Sequence, residues 1–504
     1  MLCSRLAGLV RTRVFSHYFG QSDVADAFNA AFRIPNFLQN LFGEGALSAS
    51  FIPVYVALVA RGERREADRV AGAVAALLAL VVSALVLVGV AATPLLISAI
   101  APGFSGDKRE LTVVLVRILF PGAGLLVLSA WCLGVLNSHR RFLLSYAAPV
   151  MWNAAMIATL LAGGAHASLP RLAVALAWGS VAGSALQFAV QVPAVWRVAP
   201  DLRFGWDVSS EHVRLVSRNF VPVFVSRGVV QVSAYVDSLI ATLLGTGAVT
   251  GLANAQLLYT LPVSLFGMSV AAAELPTMSG VAGDAVDVLR PRLDAGLRQI
   301  AFFVVPSAVA FLALGDVIAA ALLQTGRFGH GDAVWVWRML AGSAVGLLAS
   351  TLGRLYASAY YALRDTRTPL RYAIVRVVLT TVLGYLFAIP LRQRFGLEPL
   401  WGAAGLTASA GIAGWVEMLL LRRTLNARIG RTGLPASYVT KLWAAALSGA
   451  AAAWAVKLYA PPVHPILTAA LVLPPYGAAF FGATLALGIP EASDAIRRVR
   501  RLQS

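Results

Sequence analysis

Long apolar runs separated by short polar breaks dominate the chain. VAGAVAALLALVVSALVLVGVAATPLLISAI (70–100) alone exceeds the roughly 20 apolar residues that a helix needs to cross a bilayer. Cutting at the polar and Gly/Pro breaks predicts about fourteen spans: 1–19, 25–58, 70–101, 110–137, 143–165, 172–196, 215–245, 250–279, 299–323, 334–362, 370–390, 399–421, 437–459 and 464–489. The ten-residue alternation of a membrane β-barrel is missing. The pattern therefore predicts an all-α polytopic membrane protein with about 14 transmembrane helices.

The second span departs from that pattern. DAFNAAFRIPNFLQNLFGEGALSASFIPVY (26–55) carries Asp26, Asn29, Arg33, Asn36, Asn40 and Glu44 at steps of three and four. At about 100° per residue these fall within an arc of roughly 80°, while Phe28, Phe32, Phe37, Leu38 and Leu41 mostly fill the rest. Such a stripe either faces bulk water or lines a wet cavity inside a membrane protein. An intramembrane charge costs roughly 2.5–3.5 kcal/mol on insertion scales, and Arg5, Arg11, Arg13, Asp26, Arg33 and Glu44 all lie in residues 1–58. Pro35 and the Gly43/Gly45 pair are expected to bend this span and open space between helices. Two readings stay open: a hydrated substrate cavity, or a structural network in which Asp26 pairs with a first-helix arginine.

Composition agrees with a membrane protein, since only 13% of residues are charged against roughly a quarter in soluble chains. The net charge of +18 suggests nucleic acid, but its distribution argues otherwise. Lysines stand only at 108, 441 and 457, and the arginines sit mostly in short loops between apolar runs. Those loops alternate: the even connections and the tail hold 24 Lys and Arg, the odd ones 6. By the positive-inside rule the even loops and both termini are cytoplasmic. Cys3 and Cys132 are too few and too far apart for a disulfide framework or a metal site. The six histidines lack HxxH or HxxxH spacing, and no GxxxxGK[ST] motif is present. The expectation is therefore no cofactor, with the membrane potential and a coupling ion as driving forces.

A faint repeat accompanies the spans. APGF (101–104) precedes a basic loop, NSHRRF, by one span, and TGRF (325–328) precedes RDTRTP in the same way. Each intervening span has an arginine near its start, Arg117 and Arg338. The expected organisation is an N-lobe of six helices (1–196), a C-lobe of six (197–422) and a C-terminal helix pair with a basic tail (423–504). Repeated lobes meeting at a midplane site are common among secondary transporters.

SRLAGLVRTRVFSHYFGQSDVADAFNAAFRIPNFLQNLFGEGALSASFIPVY, beginning at Ser4, closely resembles the N-terminal signature of the MurJ (MviN) lipid II flippases, members of the multidrug/oligosaccharidyl-lipid/polysaccharide exporter superfamily. LLQTGRF, LRDTRTP and the fourteen spans fit the same family, so the resemblance covers essentially the whole chain. It implies transport of the lipid-linked peptidoglycan precursor from the inner to the outer leaflet of the bacterial cytoplasmic membrane, by alternating access of two lobes. It also implies a cationic cavity for the diphosphate–sugar–peptide headgroup and a groove for the polyprenyl tail at 437–459 and 464–489. The implied partners are lipid II or a related polyprenyl-diphosphate glycolipid, membrane lipids and the cell-wall synthesis machinery. The family's first-helix arginines match Arg5 and Arg11, its second-helix acid matches Asp26, its FAEGA-type turn matches Phe42 to Ala46, and its tenth-helix cation matches Arg354.

Three departures stand out. Thr12 occupies a position that is often acidic, and Gln39 and Leu257 occupy positions that are often basic. The chain also starts almost at the signature's Ser-Arg, which implies a short first helix. Arg33 and Arg227 are candidate replacements for the missing cations, while Asp237 and Glu274 add negative charge to the second half. Asp237 is either a coupling-ion ligand or a partner for Arg227. Arg354 lines a cavity or bonds between helices. Arg327 is expected to cap an outer loop. Arg5 and Arg11 lie about 120° apart on an ideal helix, so facing one site together requires a distortion at Gly8.

Competing functions are weaker. An enzyme needs carboxylates or histidines clustered in a sizeable loop, and the longest, 197–214, offers Asp201, Asp207 and Glu211 without a metal motif. A transporter of another polyprenyl-linked glycan, a drug/cation antiporter and a degenerate, non-transporting scaffold remain as alternatives.

Overall fold

The computed structural model describes residues 2–205, 210–271, 274, 286–363, 365–461, 463–494 and 497. The side chains of 2–3, 43–46, 48, 145–146, 222–223, 225–234 and 286–288 lie outside the description. These residues form fourteen helical rods. They are α1 (Leu2–Phe19); α2 (Asp23–Gln39, a π-helical stretch Asn40–Leu47, then Ser48–Ala60); α3 (Arg64–Ala91 and Thr93–Ile100); α4 (Gly106–Ser138); α5 (Phe142–Gly163); α6 (Leu169–Val198); and α7 (Glu211–Thr242). The second half continues with α8 (Ala248–Pro262 and π-helical Val263–Met268); α9 (Val286–Leu323); α10 (His330–Ala344 and Leu347–Ala362); α11 (Arg367–Leu386, then Phe387–Leu391 and Arg392–Arg394); α12 (Pro399–Ile429); α13 (Ala436–Tyr459); and α14 (Pro465–Ala486).

Nine of these helices are long and apolar enough to span a bilayer unaided, and α10, bent by 43°, makes a tenth among the described residues. Of the other rods, α1, α2 and α7 carry charges and α8 is divided by its π stretch. The second span turns π-helical over Asn40–Leu47, where Gly43 and Gly45 leave the backbone free to reorganise. Pro35 is accommodated inside an otherwise continuous helix.

The contacts divide the chain into two compact units. One comprises Met1–Thr250 together with Thr325–Phe328, the other Gly251–Gln324 and Gly329–Ser504. Each is built on close helix contacts at small residues, as lipid-embedded bundles require. In the first unit, Gly179 and Gly183 of α6 leave room for Thr159 and Trp152 of α5; a Cβ on Gly179 would sit 2.2 Å from Thr159 Oγ1. In the second, Gly342 and Gly346 of α10 meet α12, where a Cβ on Gly346 would lie 2.3 Å from the Gly411 Cα. Gly179 and Gly183 lie one helical step apart on one face of α6, whereas Gly346 stands in the break between the two segments of α10.

Candidate functional site

In the first unit, Arg5 is exposed near the start of α1 and Arg11 is half-buried. The Arg11 guanidinium lies over the rings of Phe32 on α2 and Trp152 on α5, 5.2 and 5.4 Å from their centroids. Its Nη1 is 3.9 Å from the Met156 sulfur. Phe32 and Trp152 stack with centroids 5.4 Å apart, and the indole N–H donates to the Ser180 carbonyl and hydroxyl, both at 3.1 Å. No carboxylate among the described residues pairs with Arg11. The aromatic faces hold the cation, a contact worth about 0.5–2 kcal/mol, yet leave most of its five N–H donors for a ligand.

Asp26 is fully buried in the first turn of α2. Its Oδ1 accepts from the Thr250 N–H at 2.8 Å and the Thr250 hydroxyl at 2.7 Å; its Oδ2 accepts from the Gly247 N–H at 2.8 Å and Lys108 Nζ at 2.9 Å. Lys108 also reaches Asp23 at 2.8 Å. A helix N-terminus presents unpaired N–H groups and a partial positive charge, and Asp26 answers both at the start of α8. The partners the structure gives Asp26 are Lys108 and the start of α8.

Two turns close on neighbouring helix ends. In TGRF, the Arg327 N–H donates to the His17 carbonyl at 2.8 Å, and the Thr325 hydroxyl is 2.8 Å from the His17 Nδ1. Gly326 is indispensable there: its φ is +55°, and a Cβ would sit 2.4 Å from the His17 carbonyl oxygen. In APGF, the Gly103 N–H donates to the Thr242 hydroxyl at 3.3 Å at the end of α7, where a Cβ would lie 2.1 Å from the Thr242 carbonyl oxygen. The two repeated motifs thus perform one job, each clasping the terminal turn of a helix distant in sequence. Arg327 acts through its backbone in this clasp.

Along the polar stripe of α2, exposure rises from buried Asp26 through half-buried Asn29, Arg33 and Asn36 to exposed Asn40. Tyr235 of α7 donates to the Arg33 carbonyl at 2.5 Å, and Arg33 lies within electrostatic range of Asp237. The side chains of Glu44 and Arg227 lie outside the described residues. An apolar cavity of about 360 Å³, lined by Ile34, Phe37, Phe120 and Tyr235 among others, adjoins this stretch.

In the second unit, Arg354 is exposed at the middle of the second segment of α10. Glu274 is half-buried, its Cγ 3.7 Å from where a Gly296 Cβ would stand. The α13–α14 pair docks on α9 through a Lys457–Asp316 ion pair at 2.6 Å and the Tyr476 hydroxyl, which donates to the Pro306 carbonyl at 2.6 Å. A cavity of about 690 Å³ lies between the start of α9 and the segment after α14, lined by Arg298, Gln299, Phe302, Phe303, Glu491 and Asp494 among others. No cluster of three or more His, Cys, Asp and Glu suited to a metal occurs among the described residues.

The family model for lipid II flippase MurJ matches residues 15–473. The chain belongs to the MurJ lipid II flippase family. A MurJ lipid II flippase of Burkholderia cenocepacia is 32% identical over 434 residues, covering 85% of this chain and 82% of its own. A probable MurJ lipid II flippase of Rhizobium meliloti is 30% identical over 521 residues, covering 99% and 94%. Among solved structures, lipid II flippase MurJ in an inward closed conformation superposes with a TM-score of 0.80 at 22% identity, covering 98% of both chains. A multidrug resistance MATE family transporter of the MOP superfamily, in an inward-facing conformation, gives 0.69 at 18% identity, covering 84% of this chain and 95% of its own. These likenesses establish a shared fold. The MurJ-family chain is a multi-pass protein of the inner membrane.

Lys108, Trp152, Thr250 and Tyr235 were not legible as site residues. Trp152 and Tyr235 read as ordinary apolar-span residues, and Lys108 as a loop charge. One signal was available for Lys108, as one of only three lysines and the only one in an odd connection.

Proposed function

We propose that this chain moves lipid II, or a closely related polyprenyl-diphosphate glycolipid, from the inner to the outer leaflet by alternating access. The observation that carries the reading is Arg11. Its guanidinium is held at membrane depth by two aromatic faces and no carboxylate, leaving a planar fork suited to a diphosphate. Arg5, Arg33, Asn36, Asn40 and Glu44 of the first unit are proposed as headgroup ligands and Arg354 of the second as a further one, with the tail along α13 and α14.

Asp26 is the switch in this reading. Its bonds to α8 and Lys108, with the two glycine clasps, tie the outer helix ends in the present state, and outward opening requires them to part. With both termini in the cytoplasm, a headgroup of two negative charges moves outward down an inside-negative potential. That movement releases about 2.3 kcal/mol per charge per 100 mV. Asp237, Arg227 and Glu274 are proposed to tune the cycle, and Asp237 to hold any coupling ion. Cell-wall synthesis enzymes would receive the product.

The test is replacement of the native flippase in a depleted host. Wild type should restore growth, whereas Arg11→Glu should abolish rescue at unchanged membrane level. Full rescue by Arg11→Glu removes Arg11 from the site. No rescue by the wild type redirects the substrate to another polyprenyl-linked glycan.

A further inference from the structure

The second segment of α10, Leu347–Ala362, is buried except along one line: Ser350, Arg354, Ala357 and Tyr361. Their spacing of four, three and four is a single helical stripe. A stripe that faces hydrocarbon is apolar, as on α11, where Ile374, Val378 and Val382 are exposed. The α10 stripe instead carries a guanidinium, a hydroxyl and a phenol, which marks it as facing water.

A second cation stands beside it. Arg376 of α11 donates to Glu417 of α12 at 3.1 Å, its side chain 41% exposed and that of Glu417 only 16%. Arg376, Glu417 and Tyr259 all lie within electrostatic range of Arg354. Tyr259 is fixed by its bond to the Ser350 hydroxyl at 2.6 Å, and Tyr372, one turn before Arg376, meets Thr424 at 2.6 Å. Glu417 therefore consumes one face of Arg376, and the Arg354 guanidinium makes no hydrogen bond or ion pair among the described residues. Two guanidiniums and one carboxylate leave one net positive charge at membrane depth. Such a charge is stable only with an anion or with water to solvate it.

We propose that Arg354 and Arg376, the latter oriented by Glu417, form an oxyanion site within the second unit that takes a phosphoryl or carboxylate group of the transported lipid's headgroup. This rests on the lipid II reading and adds to it a cation, Arg376, and a positioning residue, Glu417. A fork with several free N–H donors suits either oxyanion.

The test uses full-length protein in nanodiscs of neutral phospholipid, titrated with lipid II, with a polyprenyl diphosphate lacking sugar and peptide, and with phosphatidylglycerol. Arg376→Gln should weaken lipid II binding about tenfold, the loss expected for one charge-assisted contact. The double variant Arg376→Gln/Glu417→Gln, which strands no charge, should stay as weak. An equal loss for the polyprenyl diphosphate identifies the bound group as phosphoryl; a loss for lipid II alone identifies a peptide carboxylate, and both support the site. Undiminished lipid II binding by Arg376→Gln overturns it. So does recovery in the double variant, which would show that a stranded Glu417 caused the loss. An equal loss for phosphatidylglycerol overturns it too, as a general anionic-lipid contact. Wild-type protein that binds no lipid II at all sinks the proposed function itself and this site with it, an outcome distinct from the others.

Discussion

At the scale of single residues, burial decides which charges matter to stability. Asp26 is enclosed and satisfied by four donors, so Asp26→Ala leaves the first N–H groups of α8 unpaired and Lys108 with only the more exposed Asp23. Breaking a buried pair costs about 3–5 kcal/mol, and thermal unfolding should show a loss of that order. Because Lys108 shares the network, Lys108→Ala combined with Asp26→Ala should cost less than the sum of the two single losses. Asp365, in the turn before α11, accepts from the Thr368 N–H at 3.0 Å and hydroxyl at 2.7 Å, and pairs with Arg428 at 2.8 Å. Those bonds to Thr368, reinforced by Arg428, pull its carboxyl down to about 2. A carboxyl depressed below its unfolded value of roughly 3.9 stabilises the fold above that pH and loses the effect as pH falls toward 2. Asp365→Ala should therefore cost about 1 kcal/mol near neutrality, as for a lost cap, and the gap from wild type should close between about pH 4 and 2. His139, in the basic turn after α4, is pushed down by burial and by Arg64 and Arg141, against the opposing pull of Asp68. Its neutral form is favoured in the fold, so stability should fall as pH drops below roughly 6.5. His139→Gln should flatten that part of the profile; an unchanged slope would contradict the assignment.

At the scale of elements, the glycine clasps make the sharpest prediction. His17 and Thr325 side chains approach to 2.8 Å, so a His17→Cys/Thr325→Cys pair should crosslink under mild oxidation. Adding Gly326→Ala, which pushes a Cβ against the His17 carbonyl, should cut the yield severalfold; an unaltered yield would show that the loop docks without needing glycine. The rods themselves were legible because apolar runs and charged loops are local signals. The limits of α4 and α6 lie within about four residues of the expected spans, whereas α12 runs on past 421 to Ile429, through the basic stretch expected to be a loop. Less legible was where α2 yields. Pro35 was as good a candidate as the Gly43/Gly45 pair, and the π-helical stretch fell on the glycines because they carry no side chain to resist it. The α2 stripe marked Asp26 and Arg33 as special, but their partners sit on α4, α7 and α8, and no local pattern encodes such pairings. Arg376 and Glu417 escaped notice for the same reason, being single charges in separate apolar spans that acquire meaning only when α11 and α12 lie side by side.

At the scale of the whole molecule, the chain shares its fold with a multidrug exporter, and the proposed site sets it apart by where its cations stand. Helices rich in glycine contacts make rigid bundles, and a few buried ties such as Asp26 set which ends are held together. The most direct measurement is the leaflet location of lipid II in cells where this chain is the sole flippase, read with an outer-leaflet hydrolase that cleaves exposed precursor. Wild type should render most of the pool cleavable, and Arg11→Glu, at equal membrane abundance, should leave it protected. Equal cleavage in the two, or protection in both, would contradict a headgroup carried outward on Arg11.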